Sequence, residues 1–321
     1  MSNIIKNKTR LELFFDSSYD DVENKISSLV KDEDMKNILK GGKRLRSLLG
    51  QLSFKACTSG KEKSEEYQKF LESSVSIELA HGASLVHDDI IDKDVERRGK
   101  PAYHAKKGIG NAILMGHKML TTGFDIALSH GKEFAKLYVD SWNEVVTGEI
   151  DEINFNRSKD KKDIKKSELF DSYRRIIDLK TAALFSSSCK AGVLEANMGG
   201  DILRVFNDYG REIGLAYQLA DDLVDLVKGE LIDSVIMPLL DQIEDKRLKM
   251  KFLRKLEMKR IFAKNKDKIR AFYIDNIKKH IKNAEELSQS NKIPESEYKT
   301  LLGEAPSYII NRMLAEIKIA V

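Results

Sequence analysis

Apolar residues recur at the 3.6-residue spacing of a helix through most of the chain. Residues 68–92 show the pattern well, with Phe70, Val75, Leu79, Val86 and Ile90 punctuating a run free of proline. Residues 111–130, 133–153, 168–198 and 202–228 predict further long helices. Several of these are apolar on more than one side, which marks inner helices of a large bundle, since a surface helix needs only one apolar stripe. Polar breaks fall at 58–66, 93–110 and 156–167, and none sustains the composition of a linker. The pattern therefore predicts an all-α protein, a single large helical bundle spanning 1–321, although the length alone would allow two domains. Only four prolines interrupt it, Pro101, Pro238, Pro294 and Pro306. That scarcity suits long helices, whose interiors proline breaks.

Charge narrows the function classes. The 55 basic and 51 acidic side chains nearly balance at +4, which disfavours a globally basic nucleic-acid binder. Cys57 and Cys189 are too few for a disulfide framework or a thiolate zinc site, and a cytoplasmic, reducing setting fits them. The first residues, MSNIIKNKTRLELFFDSSYDD, carry neither a sustained apolar core nor a cleavage pattern of the secretory kind. No stretch approaches the about 18 apolar residues that a transmembrane helix needs. One segment stands out: residues 246–270 hold twelve Lys and Arg against Glu257 and Asp267, with Leu248, Phe252, Leu256, Ile261 and Phe262 interleaved. It reads as a solvated amphipathic helix or, alternatively, as a peripheral contact for an anionic membrane or partner surface.

The chemistry is concentrated in two short repeats. In His87-Asp88-Asp89-Ile90-Ile91-Asp92, the i,i+4 spacing puts Asp88 and Asp92 on one helix face. Asp221-Asp222-Leu223-Val224-Asp225 repeats the spacing, again at the end of an apolar helical run. One such motif is common on helix surfaces, but two copies in the same setting are hard to assign to chance. Carboxylates clustered against an apolar interior repel one another, and hard divalent cations such as magnesium relieve that repulsion. Basic segments supply the counter-charge for a phosphate substrate: Gly41-Gly42-Lys43-Arg44-Leu45-Arg46, Arg97-Arg98-Gly99-Lys100-Pro101, and Lys180-Thr181 within an otherwise apolar helix. Each alone also reads as an exposed loop or a tolerated lysine.

Together these stretches resemble the trans-isoprenyl diphosphate synthases of the polyprenyl synthetase family. GGKRLRSLL, ELAHGASLVHDDIIDKDVERRGKPAYH, GNAILMGHKML, YRRIIDLKTAALF and GLAYQLADDLVD occur in the family's order between residues 41 and 225. The resemblance implies the isoprenoid synthase fold, helices around a central cavity, and a homodimer. It implies condensation of isopentenyl diphosphate with an allylic diphosphate (dimethylallyl, geranyl or farnesyl), with release of pyrophosphate, which itself serves as the base. By the resemblance, Asp88, Asp92 and Asp221 hold magnesium, three ions once diphosphate is bound, with Asp89, Asp222 and Asp225 in support. Lys43, Arg46, His81 and Arg98 hold isopentenyl diphosphate; Arg97 and Lys180 hold the allylic diphosphate; Thr181 and Gln218 lie near the developing cation. The partners expected are these small diphosphates, not nucleic acid.

Within the family, the residues four and five before the first motif, here Ser84 and Ala83, help set product length. Both are small, so the resemblance predicts a product of about twenty carbons or longer, in a pocket whose volume side chains fill. Ala80 extends the small strip, and Ile77, or Met119 and Phe124, are candidates for the floor. The chain also departs from the family. Ser47 stands where proline is usual. His117 stands where aspartate is usual, either as a packed histidine or as a change of charge at the cavity. Gly148-Glu149 replaces Gly-Gln, and the lysine-bearing loop after the second motif is shortened. Lys228, three residues after Asp225, is the candidate substitute for the missing lysine. Two other functions compete: a class I terpene cyclase, against which the second aspartate motif and Lys43, Arg46 and Arg98 argue, and a non-catalytic regulatory subunit, against which retention of all the motifs argues.

Overall fold

The computed structural model describes residues 8–157, 166–228 and 251–321. Twelve helices account for nearly all of them. The first four are α1 (Arg10–Leu29), α2 (Glu33–Leu39), α3 (Leu45–Thr58) and α4 (Ser64–Asp92). A hairpin of β1 (Glu96–Arg97) and β2 (Lys100–Pro101) follows, then α5 (Tyr103–Lys107), α6 (Ile109–Ser129), α7 (Lys132–Arg157) and α8 (Lys166–Ile177). The chain ends with α9 (Ala183–Glu195), α10 (Asp201–Lys228), α11 (Lys251–Ser288) and α12 (Glu297–Leu314). The all-α expectation holds, and the predicted helices match α4, α6, α7 and α10 closely.

Local chemistry sets the ends. Thr9 and Glu12 close a capping box at the start of α1, satisfying backbone donors that would otherwise lack partners. Asp32 caps α2 by accepting from Asp34 N and Met35 N. The hairpin turns through Arg98 (φ 53°) and Gly99 (φ 70°), a left-handed pair whose twist suits a two-residue connection. Residues 73–80 of α4 are buried on every side, so α4 is a central helix. Its serines keep their hydroxyls satisfied inside the core: Ser73, Ser74 and Ser76 each donate to the carbonyl three residues earlier.

The helix predicted over 168–198 is interrupted. A single π-turn, Asp178–Ala182, separates α8 from α9. The extra residue bulges Lys180 and Thr181 out of the helical ladder, an arrangement common at functional sites. Two glycines make room for it. A Cβ on Gly148 of α7 would come within 2.9 Å of Lys180 N, and one on Gly214 of α10 within 2.5 Å of Ala182 Cα. The π-turn is thus seated between α7 and α10. Around it, α3, α4, α7, α9 and α10 pack as the inner helices, with α6 against α4 and α11 against α10.

Of the basic segment 246–270, the backbone is described from Lys251 and side chains from Lys264; the proposed membrane-facing patch and the shortened loop after Lys228 lie outside the described residues. Among the described residues, no helix is long and apolar enough to cross a membrane.

Candidate active site

The loop between α2 and α3 is built around a buried arginine. Arg44 caps α3 in the left-handed region (φ 54°). Its guanidinium donates to Glu23 at 2.7 Å, Glu78 at 2.9 Å and the Leu39 carbonyl at 2.6 Å. Ser47, in the place of a family proline, donates to the other oxygen of Glu78 at 2.7 Å. A buried ion pair needs such full hydrogen bonding to survive desolvation. The result ties the Gly41–Lys43 loop to the middle of α4, leaving the flanking Lys43 and Arg46 to face a cavity of about 400 Å³. Arg44, expected with Lys43 and Arg46 as counter-charge for a phosphate, is instead engaged by Glu23 and Glu78, two acids that were not anticipated. The signal was present, since Glu78 is an acid in the middle of an apolar helical run.

This cavity gathers most of the expected residues. Lys43 comes from the loop before α3 and Arg46 from its first turn, His81, Ser84 and Asp88 from α4, and Arg97 and Arg98 from the hairpin. Lys180 and Thr181 enter from the π-turn, and Gln218 and Asp221 from α10. Arg46 lies over the Phe185 ring, 4.7 Å from its centroid, and points one nitrogen at His81 Nε2 from 3.0 Å. Arginine only donates, so that nitrogen of His81 accepts and the imidazole is neutral. Burial, then Arg46, Arg98, Arg44 and Arg97, hold its pKa well below the ordinary histidine value. The unfolded chain takes up a proton there and the folded protein does not, so stability should rise with pH up to the ordinary histidine value. The slope is at most about 1.4 kcal/mol per pH unit for one proton, and His81→Gln should flatten it in melts recorded between about pH 5 and 7.

Carboxylates and cations oppose each other across the site. Lys180 pairs with Glu149 at 2.6 Å and also with Glu152, both from α7. Burial alone would lower its pKa, but Glu152, Asp88 and Glu149 outweigh it and raise it. Burial, with Glu149 and Asp92 adding and Lys180 and Arg97 opposing, pushes Asp88 up to about 7. Asp221 is also raised, by burial first, against the pull of Lys43 and Lys228.

Several expected residues stand elsewhere. Asp89 is held by Arg97 and faces an outer cavity. Asp92 ends α4 at the surface. Asp225 lies one turn beyond Asp221 on the same face of α10. Lys228 closes α10 and pairs with Glu316 at 2.6 Å. Asp222 departs from its expected place among the metal ligands: it is buried, one oxygen accepts from Gln218 at 3.0 Å and the other from Tyr173. Gln218 in turn accepts from Thr181 at 2.7 Å, so Asp222 fixes which way the Gln218 amide points. Ala83 also differs from expectation. It is fully buried in the cluster that holds Leu39 and Met119, while Ser84 faces the cavity. His117 packs edge-on against His87, ring centroids 5.6 Å apart, and is absent from the cavity wall.

One helical turn from Ser84 along α4, an apolar pocket, the shaft, lies between α4, α7 and α9. Ala80, Ile77, Ser141 and Ser187 line it, with Phe134, Leu137 and Tyr138 at its end, around a void of only about 10 Å³. Phe124 packs on the same cluster from α6. Of the candidate floor residues, Ile77 lines this void and Phe124 packs against its cluster, whereas Met119 packs in the cluster with Ala83.

The donor set suits a hard divalent cation: carboxylate oxygens on a partly buried wall, with pKa values raised chiefly by burial. Among the described residues no three His, Cys, Asp or Glu converge on one point. Magnesium suits that spacing, because it uses one or two carboxylates and fills its shell with water and substrate phosphate.

The family model described as polyprenyl synthetase matches residues 30–235. The short chain isoprenyl diphosphate synthase of Methanothermobacter thermautotrophicus is 32% identical over 242 residues, 74% of this chain and 69% of that protein. The geranylgeranyl diphosphate synthase of Sulfolobus acidocaldarius is 30% identical over 233 residues, 68% of each. Among solved structures, the geranylgeranyl pyrophosphate synthetase of Geoglobus acetivorans superposes with a TM-score of 0.76 at 23% identity, covering 93% of this chain and 100% of that one.

Proposed function

The chain belongs to the polyprenyl synthetase family, and from that membership we propose that it joins isopentenyl diphosphate to an allylic diphosphate, making an all-trans product of about twenty carbons. The observation that carries this reading is the 400 Å³ cavity, where Lys43, Arg46 and Arg98 stand beside Asp88, Lys180 and Asp221 above an apolar shaft.

Two diphosphates need two cradles. Lys43, Arg46, Arg98 and neutral His81 grip isopentenyl diphosphate, with Arg46 giving directed donors that a lysine lacks. Lys180 and Arg97 grip the allylic diphosphate. Asp88, Asp92, Asp221 and Asp225 would hold magnesium, which when bound offsets the charge on the leaving diphosphate. As the allylic carbon–oxygen bond breaks, its electron pair goes to that diphosphate, and Lys180 and Arg97 stabilise the charge where it forms. The Gln218 carbonyl oxygen and Thr181 hydroxyl are aligned by Asp222 and face the cationic carbon. The apolar walls keep water from trapping it. The isopentenyl double bond supplies the new carbon–carbon bond, and the proton then lost passes to the released pyrophosphate.

The length follows from the helix. Asp88 to Ile77 spans eleven residues, about 16 Å at the α-helical rise. A trans isoprene unit covers four bonds, about 5 Å at ordinary bond lengths. The shaft therefore admits an acceptor of about three units, and one addition gives about twenty carbons. Lys228 is proposed to reach the diphosphate when it leaves Glu316. We also propose a homodimer, formed through Ile113, Leu114 and Leu128 of α6 and Val139, Val146 and Ile150 of α7, all of them exposed.

The test is a product assay. Purified chain with magnesium, isopentenyl diphosphate and each allylic primer should give a ladder ending near twenty carbons, abolished by a chelator, from a dimer by light scattering. No elongation from any primer would overturn the reading and favour a regulatory subunit.

A further inference from the structure

On the far side of the Arg97–Arg98 hairpin lies a second cavity, of about 730 Å³. It is bounded by α2, the end of α4, the hairpin and α5. Its walls carry six cations, Lys40, Arg97, Arg98, Lys100, Lys106 and Lys107, against two carboxylates, Asp34 and Asp89. Both carboxylates are already engaged. Asp34 accepts from Tyr103 at 2.9 Å and pairs with Lys107 at 3.4 Å, and Asp89 is held by Arg97. Lys40, Lys100 and Lys106 make no ion pair among the described residues; Arg98 donates to the Lys40 carbonyl, at 3.3 Å, and has Glu78 only at a distance.

Three unpaired lysines and the Arg98 guanidinium around one concavity repel each other, and low-dielectric walls concentrate their field on whatever enters. They come from three separate pieces of chain: the end of α2, the hairpin and α5. A multiply charged anion that bridges these pieces relieves the repulsion better than a single monovalent one. Tyr103 is the cavity's one aromatic, and Asp34 holds its hydroxyl, so there is no platform of stacked rings for nucleic acid. Arg97 and Arg98 line this cavity and the catalytic one alike, so the two spaces share an arginine wall.

We propose that the outer cavity is a second binding site for a diphosphate-class anion, separate from the two catalytic cradles and joined to them through Arg97 and Arg98. The anion comes either from inorganic pyrophosphate leaving the reaction or from the headgroup of a prenyl diphosphate. Because the arginines are shared, occupation outside weakens diphosphate binding inside, and the reverse, by the same factor.

The experiment titrates the full chain with inorganic pyrophosphate by calorimetry in the presence of a chelator, so that neither metal nor turnover contributes. Lys40→Glu/Lys106→Glu changes only the outer wall, and Lys43→Ala/Arg46→Ala only the inner. The outer variant should bind at least about tenfold more weakly, a change well above what a single exposed charge contributes, while the inner variant keeps the wild-type affinity. The outer variant should also keep its helical circular dichroism and its basal turnover at low pyrophosphate; Lys40→Gln/Lys106→Gln, with a smaller loss, replaces it if it does not. Repeating the titration with a non-reactive farnesyl diphosphate analogue separates the sources. Equal affinity assigns the site to free pyrophosphate, and clearly tighter binding assigns it to the prenyl headgroup. Unchanged binding in the outer variants, loss in the inner variant alone, or no metal-free binding by wild type would overturn the proposal. None of these results depends on elongation, so its failure is distinct from failure of the synthase assay.

Discussion

Lys180→Ala should lower kcat by about a hundredfold to a thousandfold, the usual cost of removing one preorganised donor from developing negative charge. KM for isopentenyl diphosphate should change little, because Lys180 belongs to the allylic cradle. The structure gives two reasons for a large effect. The π-turn between Gly148 and Gly214 fixes where the ammonium stands, so no neighbour can move into its place. The same ammonium also separates Glu149, Glu152 and Asp88. Without it those acids face each other, and the variant should lose activity and lower its melting temperature more at pH 8 than at pH 6, where Asp88 carries its proton for more of the time. Lys180→Arg tests position against charge, since a planar guanidinium cannot occupy the site of a compact ammonium. Single-turnover rates with geranyl diphosphate would read this directly; a kcat within a factor of about three of wild type would remove Lys180 from the charge-stabilising role.

Ser84→Phe should move the main product from about twenty carbons to ten or fifteen, by filling the shaft one helical turn, about 5 Å, below Asp88. Mass spectrometry of the product ladder checks this, and an unchanged ladder would show that the chain grows elsewhere. Ala83→Phe is the informative partner. The family resemblance treats the two positions alike, but Ala83 is enclosed with Leu39 and Met119. A ring there overpacks the core, at a cost of about 1–3 kcal/mol. That variant should therefore melt earlier and leave product length nearly unchanged.

The contrast between Ser84 and Ala83 shows what was legible in the chain. Helical periodicity identified α4, α6, α7 and α10, and the i,i+4 spacing placed Asp88 with Asp92 and Asp221 with Asp225. Periodicity states which residues share a face, but not which neighbour that face meets. Ala83 and Ser84 are adjacent in sequence and separated by about 100° around the helix, so one lies in the core and the other at the cavity. The π-turn was equally hidden, because DLKTA sits inside an unbroken apolar pattern and its extra residue depends on glycines 34 residues before Ala182 and 32 after it. Asp222 read as a metal ligand because its motif pairs it with Asp221; the tyrosine that draws it inward, Tyr173, is on another helix.

The shaft below Ser84 is nearly closed when empty, with about 10 Å³ between Ile77, Ala80 and the residues of α7 and α9. Its lining is almost wholly apolar, so the hydrocarbon tail enters a space that offers water few partners. It enters by pushing packed side chains apart. Under the proposed function, each isoprene unit gains burial and works against the elasticity of the core, and growth would end where the two balance. Product length then behaves as the setting of a spring, shared among the stiffness of several helices, and softening any one of them lengthens the chain a little.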